Sequence, residues 1–222
     1  MTGKSQARIY KSHQRGPTEN ENQRTLSTFN FEGYQNETRD TFGTLCVLND
    51  ETLAPKFELK RQVPQGMLTI IIPLVGGVEY STDNGLFEAL TGEAAFISGG
   101  SLSLKNPYES ELINFLYLQF KSNTTAPPTS VINLDERNIL HAFMANTGIH
   151  GAMGIFTGRE EALYRLKNPE NGLFVFIING AFEVKGRLLE ERDGLALWDT
   201  PEADMEALSE NAIILILEVP LA

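Results

Sequence analysis

The chain has 222 residues, 41% of them hydrophobic, and its 29 acidic and 18 basic side chains give a formal charge of -11. That apolar share is enough to build the core of one large or two small domains, which excludes a disordered chain. The acidic balance leaves no continuous basic stripe to neutralise phosphates, so direct nucleic-acid binding is not expected.

The opening stretch MTGKSQARIYKSHQRGPTENENQR lacks the apolar centre of a secretory signal. No later apolar run approaches membrane-spanning length, so the expected address is the cytoplasm, with no membrane attachment. His13 lies in this polar segment and is expected to be solvated. Short runs of Val, Ile, Leu and Phe follow, broken by Gly, Asn, Asp and Pro every eight to twelve residues or so, which is the pattern of an all-β sandwich or barrel. The runs FGTLCVLN, FELKR, MLTIIIPL, GEAAFIS and LINFLYLQF are candidate strands of the first half. Those of the second half are ILHAFMA, LFVFIIN, AFEVKG, LALWD and AIILILEV. TPEADMEAL, Thr200 to Leu208, holds helix formers but is too short for a stable helix, and it is assigned as a strand. Cys46 is the only cysteine, so an intrachain disulfide and a thiolate zinc cluster are both excluded; its apolar neighbours suit a buried small residue rather than a nucleophile.

Between the halves, KSNTTAPPTS (Lys121 to Ser130) reads as an extended connection. It sets an N-terminal domain at 1–121, a linker at 122–130 and a C-terminal domain at 131–222. The halves look duplicated. IIIPLVGGVEY matches VFIINGAFEVK, each with an apolar strand, a turn at Gly76 or Gly180, and an acid three residues on, Glu79 or Glu183. TGEAAFIS and RDGLALWD match in turn through Glu93 and Asp193, with the longer intervening loop in the first copy.

Five stretches carry a resemblance to a known family: Arg15-Gly16, STFNF (Ser27 to Phe31), FGTLCVLNDETLAP (Phe42 to Pro55), LVGGVEYSTDNG (Leu74 to Gly85) and VKGRLLEERDGLALWD (Val184 to Asp199). Through them nearly the whole chain resembles the pirin family. The resemblance implies a bicupin, an all-β chain of two antiparallel, jelly-roll-like β-barrels. Metal-binding members and their quercetin-degrading relatives hold an Fe(II)-like ion in the first barrel, with a His-x-His pair and a later His and Glu. Carried onto this chain, those positions fall on Gln62 and Pro64, and on Lys105 and Pro107, and Lys56 to Ser122 contains no histidine. No metal or other cofactor is therefore expected. His141 and His150 form a pair with no identified third ligand, and are read as a hydrogen-bonded and a loop histidine.

What remains is a pocket at the barrel mouth, with Arg61, Gln62, Tyr80 and Lys105 as candidate lining residues for a small anionic or carbonyl-bearing ligand. The leading functional reading is a non-catalytic module that binds a small molecule or a protein partner, since some pirins resemble transcriptional cofactors. The alternative is an enzyme, either similar to the quercetin dioxygenases with a relocated metal or acting without one. Against it, the chain lacks GxSxG, HExxH and a phosphate-binding glycine loop. A third reading is a barrel pair that serves mainly in self-association.

Overall fold

The computed structural model describes residues 6–123, 129–146 and 148–221. In chain order the first ten strands are β1 (Gln6–Tyr10), β2 (Gly16–Glu19), β3 (Gln23–Ser27), β4 (Leu45–Leu53), β5 (Glu58–Val75), β6 (Val78–Thr82), β7 (Gly85–Ala89), β8 (Glu93–Lys105), β9 (Ile113–Lys121) and β10 (Thr129–Val131). The remaining nine are β11 (His141–Asn146), β12 (Ile149–Phe156), β13 (Glu161–Arg165), β14 (Asn171–Asn179), β15 (Phe182–Val184), β16 (Arg187–Leu189), β17 (Gly194–Trp198), β18 (Glu202–Ala207) and β19 (Ala212–Pro220). Among the described residues the only helix is the 3-10 turn Ser12–Gln14, and no helix is long and apolar enough to cross a membrane. The architecture is all-β and antiparallel, a bicupin.

Two compact units result, Arg15–Val131 and residues 6–14 with 132–221. In the first, one sheet runs β2-β3-β4-β9-β5-β8-β6-β7, with β10 added on β8. Its core gathers Val47, Ile71, Tyr80, Leu104, Phe115 and Tyr117, among others. The second unit has a six-stranded sheet, β1-β17-β14-β19-β12-β11, and a four-stranded sheet, β13-β18-β15-β16. Phe156, Val175, Phe182, Leu197 and Ile216 belong to its separate core.

Register makes the duplication concrete. FELKR and MLTIIIPL, read as two strands, form the single strand β5, which pairs with β8 through Glu58–Val63 and again through Leu68–Ile71. In the second unit the same path is cut in two: β13 pairs with β18, and β14 with β17. Gly76 and Gly180 hold matching left-handed conformations, with φ of 73° and 76°, and each follows a bulge against β9 or β19. TPEADMEAL does pair as a strand, β18.

The N-terminal segment departs from expectation. Read as part of the first domain, it instead lays β1 along β17, from Gln6 opposite Trp198 to Tyr10 opposite Gly194. The covered edge of β17 supplies the reason, since an open strand edge leaves a row of unpaired backbone groups. Tyr10 is buried against Phe174, at 5.6 Å between ring centroids. Of the expected linker, residues 124–128 lie outside the described residues, while Thr129 and Ser130 already pair with Ala95 and Ala94 of β8.

Asp193 fastens this N-terminal segment. Buried at 1% exposure, it accepts hydrogen bonds from Lys11 Nζ at 2.7 Å, Ser12 N at 2.7 Å and Glu190 N at 3.1 Å. Burial pushes its pKa up, but Lys11 and the two backbone N–H groups outweigh burial and hold it below the ordinary value. A depressed carboxyl contributes stability above its unfolded pKa of about 3.9, and that contribution is lost as pH falls through the lower folded value. Asp193→Asn is therefore expected to cost about 1–3 kcal/mol at pH 7. Urea unfolding followed by Trp198 emission should show the gap from the unsubstituted protein narrowing below about pH 4; a gap independent of pH would contradict this role.

Candidate functional site

In the first half of β5 the side chains alternate: Leu59, Arg61 and Val63 turn toward the core, while Glu58, Lys60 and Gln62 are exposed. On β8 the inward positions are Leu102 and Leu104, and Ser103 and Lys105 alternate with them on the outer face. Period two decides this, because a slip of one residue along a strand moves every side chain to the other face. Gln62 and Lys105 are thus outward residues. Lys105 Nζ lies 3.3 Å from Glu79 Oε1 across the ladder. Pro64 is exposed and Pro107 half-buried, its carbonyl accepting a hydrogen bond from Lys56 Nζ. The four positions implied by the resemblance therefore do not line one inner wall.

Arg61 does enter the barrel. Its side chain is 5% exposed, and its Nη2 donates to Glu51 Oε1 at 2.7 Å, a carboxylate with no exposure at all. The guanidinium carbon sits 4.4 Å from the Tyr117 ring centroid and 5.0 Å from that of Phe31. Glu51 also accepts from Thr25 Oγ1 at 2.6 Å and Asn49 Nδ2 at 3.2 Å. Beside this cluster Gln119 Nε2 donates to Tyr117 OH at 2.8 Å and Thr69 Oγ1 at 3.1 Å. These residues face one another because β3, β4, β9 and β5 are neighbours: Thr25 lies opposite Glu51, Asn49 opposite Tyr117, and Gln119 opposite Thr69.

An Fe(II)-type centre does not fit these residues. The wall offers no imidazole, and its buried carboxylate Glu51 is bound to a guanidinium whose charge opposes a cation. Among the described residues no three His, Cys, Asp or Glu side chains are placed to hold a metal ion. The two later histidines stay apart. His141 is opposite Met153, three residues from His150 on β12, so the pair is about 10 Å apart along the strand and on opposite faces. His141 Nε2 is 3.0 Å from Glu136 O, and His13 is exposed. Cys46 is half-buried, with burial pushing its thiol pKa up, which disfavours a thiolate nucleophile.

A cavity of about 480 Å³ opens in the first unit where β5 and β8 lose register between Val63 and Leu68. Opposite this bulge Gly99 and Gly100 have φ of 67° and 91°, and a Cβ at Gly100 would stand 2.5 Å from Asp83 Oδ2. Glycine at both positions removes the steric cost that a Cβ would add to this left-handed backbone. Tyr80 and Phe87 stack at 5.4 Å to form one wall, and Gln65, Asp83, Asn84 and Ser98 provide polar groups. Burial, and secondarily Glu93, push the Tyr80 pKa up, so its phenol is neutral at pH 7. Of the four residues expected at a pocket, Tyr80 lines this one, while Arg61, Gln62 and Lys105 do not. The sequence signal for the rest was the Ser98-Gly99-Gly100 break inside an apolar strand pattern.

A family model described as the quercetinase C-terminal cupin domain matches residues 148–219. No curated protein matches the sequence. Among solved structures, YhhW from Escherichia coli superposes with a TM-score of 0.85 at 18% identity, covering 98% of this chain and 99% of its own. A second structure of that protein, described as a bacterial pirin in complex with nickel(II), gives 0.85 at 17% identity, covering 98% and 100%. Quercetin 2,3-dioxygenase from Acinetobacter baumannii gives 0.73 at 14% identity, covering 96% of this chain and 79% of that one.

The Arg61–Glu51 pair makes an asymmetric prediction. Glu51→Leu leaves a buried guanidinium with only the exposed Glu32 carboxylate at 3.6 Å and should cost about 3–5 kcal/mol, whereas replacing both partners in Glu51→Leu/Arg61→Met should recover most of that loss. Denaturant midpoints of Glu51→Leu, Arg61→Met and the double variant measure it, and a double variant as unstable as the sum of the singles would refute it.

Proposed function

We propose that the chain, which shares its fold with a bacterial pirin, is a pirin-like bicupin acting as a cytoplasmic, non-catalytic module that binds a small molecule, with a buried ion pair on the inner wall of its first barrel. The observation that carries this reading is Arg61, a buried cation salt-bridged to the one buried carboxylate of that inner wall. The stacked Tyr80–Phe87 wall supplies the binding surface. Among the described residues Asp83 is the only charged one in the cavity lining, while Gln65, Asn84 and Ser98 bring hydrogen-bond donors. That lining favours a neutral, flat, carbonyl-bearing ligand over an anion, because a carboxylate and an anion repel in a partly desolvated site.

The second reading is an enzyme related in chemistry to the quercetin dioxygenases. It draws on the match of residues 148–219 to a quercetinase domain and on the nickel-bound bacterial pirin.

Tag-free protein incubated with Fe(II) or Ni(II) distinguishes the two. Mass-spectrometric metal content well below one ion per chain, with no oxygen uptake on added quercetin, is the expected result. One bound ion with metal-dependent oxygen uptake would establish the enzyme instead. For the cavity, Phe87→Ala is expected to weaken benzamide about three- to tenfold in an NMR titration, the worth of one aromatic contact.

A further inference from the structure

The second unit contains a cavity of its own, about 380 Å³, within the about 300–1,000 Å³ range of small-molecule sites. Leu140, Met144 and Leu163 give it an apolar lining, and His150, Arg165 and Lys167 bring basic groups to it. In a chain of formal charge -11, a cavity whose ionisable lining is almost wholly basic is a local reversal of the protein's field.

The carboxylates nearby leave that character in place. Arg165 pairs with Glu202 at 3.2 Å, but both side chains are well exposed, so the pair is weak and an incoming anion can share the guanidinium. Glu218 lies directly opposite His150 on β19, fully buried. It accepts from Lys167 N, Asn168 N, Asn171 Nδ2 and Tyr164 OH, all within 3.0 Å. Burial would raise its pKa, yet these four donors outweigh burial and hold it below the ordinary value. Its charge is spread over donors of the protein itself. The same bonds fix the backbone at Lys167, which sets the position from which that side chain leaves, and they occupy the Tyr164 hydroxyl so that its ring is left to line the cavity.

We propose that this cavity binds a small organic carboxylate with a short apolar body. The carboxylate group meets Arg165 and Lys167, with His150 as a further donor, and the body lies on Leu140, Met144 and Leu163. A guanidinium and an ammonium recognise a carboxylate by charge-assisted hydrogen bonds, and burial of the apolar body adds affinity without directionality. The site is independent of the first-unit cavity, and it is selective for charge where that cavity disfavours anions.

Calorimetric titration of the full chain with octanoate and with octanamide tests this, the two probes sharing an apolar body and differing in charge. Octanoate is expected to bind, and octanamide to bind at least about tenfold more weakly. The Arg165→Ala/Lys167→Ala variant should lose octanoate affinity about tenfold or more with its melting midpoint unchanged, because both side chains are at the surface. Phe87→Ala, in the other cavity, should leave octanoate binding as it was. Equal affinity for the two probes, full affinity in the double variant, loss of affinity in Phe87→Ala, or no binding of octanoate up to about 10 mM would each overturn the proposal.

Discussion

A charge taken out of water must be matched inside, and the first barrel is organised around that requirement at Arg61. The guanidinium comes from β5 and its partner carboxylate from β4, two strands separated in the sheet by β9. Closing the distance to 2.7 Å draws the first half of β5 over the inner face of the β3-β4-β9 ladder. Tyr117 and Phe31 then meet the planar cation with their ring faces, which suits Arg better than the compact ammonium of Lys. Arg61 Nη1 and Asn49 Oδ1 have no hydrogen-bond partner, and Arg61 Nε meets only the exposed Glu32 carboxylate, at 3.6 Å. Desolvation therefore takes back much of what the pair contributes, and specificity of register is the better account of its presence.

The two barrels solve the same geometric problem differently. A strand that serves two sheets must bend, and in the first barrel β5 and β8 stay continuous, bending where Gly99 and Gly100 admit left-handed backbone. The cavity beside Tyr80 is a consequence of that bend. In the second barrel the corresponding strands are broken, and the break before Asn171 is held by Glu218 gathering the N–H groups of Lys167 and Asn168. Continuity in one barrel places amides and hydroxyls around its cavity; discontinuity in the other brings Arg165 and Lys167 to the edge of its own.

The all-β class was legible because alternation and turn residues are local signals, and the matched turns at Gly76 and Gly180 were legible because only a few residue types tolerate positive φ. What escaped was non-local. β1 carries the polar sequence QARIY and becomes a strand only against the edge of β17, some 180 residues later. β12, IHGAMGIF, was hidden by its two glycines, although β19 and β11 pair with it on either side. Among the site residues, Arg61 and Gln62 are neighbours in sequence and opposites in space, and only strand register separates them. A spacing carried over from a resemblance gives a position along the strand, and an intervening bulge such as Val63 to Leu68 changes which face that position meets.

The first barrel is held by apolar packing and backbone pairing. Its core residues Ile71, Val78, Leu104, Phe115 and Tyr117 pack as a contiguous cluster, and the sheets are closed by backbone ladders. Neither depends on a central ion, unlike small domains whose folding free energy is metal-binding free energy. Polar interior positions in such a barrel are free to take other partners, provided each buried charge is matched. Arg61 with Glu51 meets that condition in one barrel, and Glu218 with four donors meets it in the other. What each barrel recognises is then set by the side chains left around its cavity, neutral donors with one carboxylate in the first and basic groups over apolar residues in the second.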